Sequence, residues 1–331
     1  MMKNERAVTF GELLLRLSPE KYLRLVQSDR YEATFGGAEA NVAVNLARYG
    51  FKASFVTKLP EHELGQAALD CVRRYGVDTS AVVRGGERVG IYYLEKGISE
   101  RGSKVIYDRK HSSFAEAEPS DFDWEKIFEG RGWFHLTGIT PALSENTEAI
   151  SSEAVKRAKA QGWIVSFDPN YRSGLWEKER AGETLRKMSG YADVLITNMG
   201  QAEDVYGIAD ETEEETAKLL ACEYGCRYVA LTRRKTHTAL KQEYGGMLWT
   251  KGQGYRSRTH EIEVADRVGA GDAFAAGLIY ALSNGYEPQR AIEFAAAAGS
   301  LKHTVEGDFN LVSLRETEAL ALGKPAGGLD R

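Results

Sequence analysis

Cysteine is scarce: the 331-residue chain holds only Cys71, Cys222 and Cys226, and none stands in a CxxC pair. Three thiols so far apart exclude a disulfide framework and suit a reducing compartment. Cys222 and Cys226 lie four apart on an expected helix with no further ligands nearby, so both read as buried thiols rather than a metal pair. The six histidines show neither HxxxH nor HExxH spacing, which leaves no case for a protein-bound zinc and no identified metal ligands. His135 and His303 read as core or rim residues. No GxSxG elbow occurs, which removes the commonest α/β-hydrolase signature. Excess charge is missing too: a net −5 offers neither a nucleic-acid surface nor a polyacidic tail. No apolar run approaches a membrane span, and "MMKNERAVTF" has no signal-peptide core. The expectation is a soluble, cytoplasmic protein with neither nucleic acid nor membrane among its partners. Repeats and low-complexity linkers are also absent, so residues 1–331 read as one domain, long enough for an enzyme.

What the chain does have is alternation. The segments "RAVTFGE", "ASFVTKL", "RGWFHLTG", "GWIVSFDPN", "ADVLITN" and "RYVALT" are apolar on both faces, as buried parallel strands must be. Between them, "AEANVAVNLARYG", "ELGQAALDCVRRYG", "ENTEAISSEAVKRAKAQG" and "ETEEETAKLLACEYG" carry apolar residues at helical spacing and end at a glycine suited to a left-handed cap. This predicts an α/β fold, a mostly parallel sheet with helices on both faces. Two segments, about 13–35 and 87–112, alternate tyrosines and charges around polar turns and predict a small antiparallel sheet that covers a pocket. The closing "GKPAGGLDR" is expected to fray.

One stretch does not look like core filling. "DRVGAGDAFAAG", Asp266 to Gly277, sets Gly-Ala-Gly-Asp at the start of an apolar helix. Free backbone N–H groups and the positive end of the helix dipole collect there, and the small residues let another group approach the main chain. Such a turn receives an anion. Asp272 in that turn could merely cap the helix, worth roughly 0.3–1 kcal/mol, or act as a base beside an arriving phosphoryl group.

"DRVGAGDAFAAG" resembles the DTxGAGD signature of the ribokinase-like (PfkB) carbohydrate kinases, and "FGGAEANVAVNLARYG", Phe35 to Gly50, resembles their N-terminal Gly-Gly signature. The two are widely separated and in the family's order. The resemblance implies a three-layer ribokinase-like sandwich with a β lid, ATP as phosphoryl donor and Mg²⁺ bridging its phosphates. It makes Gly269, Ala270 and Gly271 the anion hole and Asp272 the base. Gly36, Gly37 and Asn41 would meet the sugar, while Asn198, Thr232, Gly269 and Gly271 would meet the nucleotide.

An acidic acceptor also needs a cation, best an arginine fork. Arg172 follows a buried strand at its C-terminal end, where open α/β sheets bind ligands, and Arg109 ends a lid strand on the same face as Tyr107. The segments "GGAEANVA", "GIYYLE", "TGITPAL", "DPNYR" and "KHTVEGDFN" resemble the branch of the family that phosphorylates 2-keto-3-deoxygluconate. By that resemblance Tyr92, Tyr107, Arg109 and Arg172 bind the keto-acid, Ile139 lines its site, and Asp308 lies near the hydroxyl that becomes the 6-phosphate. The alternative acceptor is fructose, another neutral sugar or a nucleoside. Exposed lid edges make a homo-oligomer an expectation.

The chain also departs from the pattern. In "TNMGQAEDVYG" Gln201 stands where the family usually has glutamate, which leaves Asn198 or Glu203 as the only guess for a metal contact. "TRRKT" places Arg233, Arg234 and Lys235 after a strand, a turn that reads as solvated, with nucleotide phosphates as the alternative contact. Arg267 replaces the signature threonine beside Asp266, which weakens the case for a monovalent-cation site. A non-catalytic ligand-binding relative is the rival class, and a nicotinamide dehydrogenase fits poorly because its glycine loop should follow the first strand.

Overall fold

The structure, a computed structural model, describes residues 6–324. The expected fraying of "GKPAGGLDR" therefore falls almost wholly outside the described residues. The first third of the chain forms β1 (Arg6–Phe10), β2 (Leu14–Ser18), β3 (Glu32–Gly36), α1 (Ala38–Arg48), β4 (Lys52–Val56), β5 (Lys58–Leu59), α2 (Glu63–Arg73), β6 (Val83–Arg84), β7 (Ile91–Glu95) and β8 (Lys104–Asp108). Next come α3 (Trp124–Ile127), β9 (Trp133–Thr137), α4 (Glu145–Ala160), β10 (Ile164–Asp168), α5 (Lys178–Ser189), β11 (Val194–Thr197), α6 (Met199–Tyr206) and α7 (Glu213–Tyr224). The last third holds β12 (Tyr228–Thr236), β13 (Lys241–Thr250), β14 (Gln253–Arg256), β15 (His260–Glu263), α8 (Ala270–Ser283), α9 (Pro288–Lys302) and α10 (Leu314–Ala321).

The large sheet runs β14-β13-β12-β11-β10-β9-β1-β4, with β15 also on β13. From β4 to β12 every pairing is parallel, and β13 to β15 add an antiparallel edge. Successive strand residues feed opposite cores. Val8, Phe10, Phe134, Leu136, Val165 and Phe167 pack against α4 to α7, whereas Ala7, Trp133, Val194 and Ile196 pack against α1 and α8 to α10. The sandwich thus has three layers. The predicted helices stop where expected, and Gly50, Gly76, Gly162 and Gly225 behind them all take positive φ.

Two expectations change. Cys222 is exposed on α7 and Cys226 lies beyond its Gly225 cap, so the thiols share no helix face and only Cys226 is buried. The lid forms from both predicted segments, in the order β3-β2-β7-β8; its outer pairings are antiparallel, but β2 and β7, drawn from separate insertions, pair parallel.

Burial ties the lid to the core. Leu14, Tyr92 and Leu94 pack on Val268 of the glycine-rich turn. Arg16, 3% exposed on β2, bridges Asp266 at 2.5 Å and Asp308 at 2.8 Å. Removing one member of such a buried network leaves the others uncompensated. Arg16→Met should therefore lower unfolding stability by about 3–5 kcal/mol, read from the urea midpoint. Arg88→Met, which breaks an exposed rim pair with Asp108 and exposed bonds to the Asp108 and Lys110 carbonyls, should cost clearly less, about 1 kcal/mol.

Candidate active site

A cavity of about 460 Å³ opens between the lid and the C-terminal ends of the parallel strands, the place where such sheets leave room for a ligand. The structure brings to it the anion-hole, base, acceptor and nucleotide candidates Gly36, Gly37, Asn41, Tyr92, Tyr107, Arg109, Ile139, Arg172, Asn198, Thr232, Gly269, Ala270, Gly271, Asp272 and Asp308.

The two glycine signatures are adjacent because large groups lie against them. A Cβ on Gly36 would sit 2.1 Å from Asp308 Oδ2, and one on Gly37 would sit 2.1 Å from the Glu12 carbonyl oxygen. Gly269 caps α8 with φ +84°, and a Cβ there would lie 2.1 Å from the Asp308 carbonyl oxygen. No other residue takes that backbone conformation and that contact without displacement. Space above Gly271 is open, so the first amides of α8 face the cavity unobstructed.

Asp272 is half-buried on the first turn of α8. Asn41 Nδ2 donates to its Oδ2 at 2.7 Å, and Asn41 Oδ1 accepts from the Gly37 amide at 3.3 Å, which links the signatures directly. Burial pushes the Asp272 carboxyl up to about 7; the Asn41 bond opposes this, and the nearby Asp168 and Glu39 charges reinforce it. Asp168, at the end of β10, is likewise raised to about 7 by burial, against the Asn170 amide and the Arg172 charge. Glu39 is 2% exposed and accepts from the Thr137 amide and from the Thr137 and Thr140 hydroxyls, at 3.0, 2.7 and 2.8 Å. Burial raises its carboxyl as well.

At the lid side Tyr92 donates to both oxygens of Asp308 at 2.7 Å, and Tyr107 lies opposite Tyr92 with ring centroids 6.0 Å apart. The Arg109 Cζ stands 5.5 Å from the Tyr107 ring centre. Arg109 is not a free fork, however, since its Nε and Nη2 both donate to Glu12 Oε2 at 2.8 and 2.5 Å. Arg172 is exposed and makes no ion pair among the described residues. Its charge reaches Asp168 without forming an ion pair with it.

The metal guess does not hold at Glu203. Gln201 lines the cavity, whereas Glu203, two residues further round α6, is exposed and outside it. Asn198 Oδ1 accepts from the Gln201 amide at 3.0 Å as the cap of α6. Among the described residues no three His, Cys, Asp or Glu side chains gather to hold a metal. His135 and His303 are buried as expected, hydrogen-bonded to Ser166 and the Gly299 carbonyl.

Sequence reasoning passed over several residues. Glu39 was visible as an acid inside an otherwise apolar helical run, and Asp168 as an acid ending a buried strand. Glu12 and Arg16 had no local signal, because their partners are distant in sequence. The basic turn reads from sequence as solvated, with nucleotide phosphates as the alternative contact; in the fold Arg234 lines the cavity while Arg233 and Lys235 do not. Lys302 is fully buried, its Nζ donating to the carbonyls of Asp266 and Val305 at 3.2 and 3.0 Å.

Comparison with known proteins agrees with this geometry. A 2-dehydro-3-deoxygluconokinase from Thermotoga maritima has a crystal structure with TM-score 0.94 and 47% identity, covering 96% of this chain and 99% of that one. A 2-dehydro-3-deoxygalactonokinase from Haloferax volcanii is 33% identical over 98% of both chains. A 2-dehydro-3-deoxygluconokinase from Bacillus subtilis is 29% identical over 94% of this chain and 93% of its own. No described helix is long and apolar enough to cross a membrane. Residues 4–313 match the sequence model described as pfkB family carbohydrate kinase, and the chain belongs to that family.

Proposed function

We propose that the protein transfers the γ-phosphoryl group of ATP to the primary hydroxyl of 2-dehydro-3-deoxy-D-gluconate. The observation that carries this reading is Arg172, which lines the same cavity as Asp272 and makes no ion pair among the described residues. A neutral sugar gives such a cation no direct partner, whereas a sugar acid supplies a carboxylate that its fork can hold. The names of the relatives point the same way.

In this reading Arg172, with Tyr107 and the remaining donor of Arg109, holds the carboxylate, and Ile139 lines the carbon chain. Gly36, Gly37 and Asn41 read hydroxyls. The primary hydroxyl then lies against Asp272, whose Oδ2 is fixed by Asn41. As the acceptor oxygen bonds to the γ-phosphorus and the bond to the β,γ-bridging oxygen breaks, Asp272 takes the hydroxyl proton and ADP leaves. The amides at Gly269 to Gly271 and the dipole of α8 stabilise charge on the transferring group. Asn198 and Thr232 lie on the nucleotide side. A magnesium ion brought in with ATP would supply charge neutralisation at the phosphates, and no cluster of three acidic, histidine or cysteine side chains stands ready to hold it among the described residues. Strand β8, exposed along its length with Val105, Ile106 and Tyr107, is the edge on which a second copy would pair.

The base works only when ionised. With the free-enzyme carboxyl near 7, kcat/KM for the sugar acid should fall about tenfold per pH unit below that point and level off above it. Asp272→Asn should lower kcat by roughly 10²–10⁴-fold with sugar-acid binding retained in calorimetry. Arg172→Met should raise KM for the acid about 10- to 100-fold, as a hydrogen bond to a charged group is worth about 1.5–3 kcal/mol. A panel of the gluconate- and galactonate-derived acids, fructose and a nucleoside tests the acceptor. Preference for a neutral acceptor, unaltered by Arg172→Met, would overturn the assignment.

A further inference from the structure

Strand β12 runs beyond the parallel sheet into its hairpin with β13, and its side chains alternate in direction. Arg233 and Lys235 share one side, where they pair with Glu213 at 3.4 Å and Glu243 at 3.5 Å. Thr232 and Arg234 share the other and line the cavity. Arg267, two residues before the Gly269 cap, lines it too. Neither Arg234 nor Arg267 makes an ion pair among the described residues.

The two guanidinium groups feel each other instead. Burial first and then the Arg234 charge lower the proton affinity of Arg267. Both charges also add to the burial that depresses the nearby His303 imidazole to about 4, against its bond to Gly299. Arg267 is half-buried and Arg234 exposed; two cations without an acid between them repel, and the arrangement becomes favourable once a polyanion lies against both. Their position decides which anion. They flank the turn whose amides are free, on the side of Asn198, Gln201 and Thr232, while Arg172 serves the opposite end near Asp168.

We propose that Arg234 and Arg267 clasp the phosphates of the nucleotide, with Arg267 a catalytic residue that bears on the transferring phosphoryl group. The inference rests on the kinase reading and adds two residues to it. A guanidinium fork matches two phosphate oxygens at once and stays protonated throughout, so it moves no proton. It neutralises the charge that spreads over the equatorial oxygens and the departing bridging oxygen as the phosphorus changes partners. Arg234, at the more exposed mouth, meets the incoming polyphosphate and sets ground-state affinity. Arg267, on the turn itself, acts most strongly when the bond to the acceptor is forming.

The test compares wild type with Arg267→Met, Arg267→Lys, Arg234→Met and the control Arg233→Met. Steady-state kinetics with the sugar acid are paired with calorimetric titrations of the β,γ-imido analogue of ATP, of AMP and of the sugar acid. Arg267→Met should lower kcat about 10²–10³-fold with sugar-acid affinity within about threefold, and Arg267→Lys should recover only part of it. Arg234→Met should weaken the ATP analogue at least about tenfold while AMP binding stays within about twofold. Arg233→Met should behave as wild type. If both methionine variants keep kcat and analogue affinity within about threefold, or if they lose the sugar acid instead of the nucleotide, the proposal is overturned. Should Arg267→Met lack a cooperative melt, Arg267→Lys and Arg234→Met decide. A wild type inert toward every acceptor would overturn the assigned reaction, and the Arg234→Met titrations would still judge the clasp.

Discussion

A guanidinium buried on a lid strand holds the two halves of the cavity at a fixed separation. Arg16 reaches across to Asp266 and Asp308, and each acid is in turn fastened to a glycine-dependent turn. Asp266 accepts from the Val268 and Gly307 amides. Asp308 presses its carboxylate against Gly36 and its carbonyl against Gly269. Tyr92 adds a hydroxyl from the next lid strand. The separation between the acceptor-side turn and the phosphate-side turn is thus set by one network of charges, none more than 4% exposed. Buried networks of this kind contribute position more than net stability, since dehydration offsets much of their attraction. Here position is what the chemistry needs, because a hydroxyl must meet a phosphorus in line.

The same enclosure tunes the base. Glu39, Asp168 and Asp272 approach one another beneath the lid, and burial raises all three carboxyls. Glu39 is satisfied by the Thr137 and Thr140 donors and acts as a fixed neighbour. Asp168 is steadied by the Asn170 amide and by Arg172. Asp272 keeps a single side-chain donor, Asn41, and so has an oxygen open to the cavity. A carboxylate near neutrality is basic enough to accept an alcohol proton during transfer and is still ionised in much of the population. Its proton affinity follows from the dryness of the site.

The layers of the fold and both glycine signatures were legible because each rests on local rules. Strand residues of period two, as in "WIVSFD", and helix-ending glycines such as Gly162 need only their neighbours to be read. The antiparallel edge from β13 to β15 was missed, since a strand like "KQEYGGMLWT" with two central glycines has weak local propensity and is fixed by its pairing with β12. Arg109 shows the other limit. Its place at the cavity was legible from the lid strand, but its partner Glu12 lies far away in sequence, so its charge looked free when it is largely neutralised. Arg233, Arg234 and Lys235 form one basic cluster in sequence, and only Glu213 at the start of α7 and Glu243 across on β13 reveal which of them the fold leaves unpaired.

Two departures from the family pattern acquire a common cause in that setting. Gln201 lines the same cavity as Arg234 and Arg267, and its amide oxygen accepts from the Thr197 hydroxyl at 3.3 Å. A carboxylate at that position would offer the arginines an internal counter-ion and would hold them away from an incoming phosphate. A neutral amide offers no such competition. Replacing threonine by Arg267 adds the cation, and glutamine at 201 removes the anion that would have consumed it, so both changes shift the nucleotide side toward positive charge. Together they let the protein's own side chains meet charge that a carboxylate-held ion would otherwise meet, and they do so without altering the turn in which Asp272 stands.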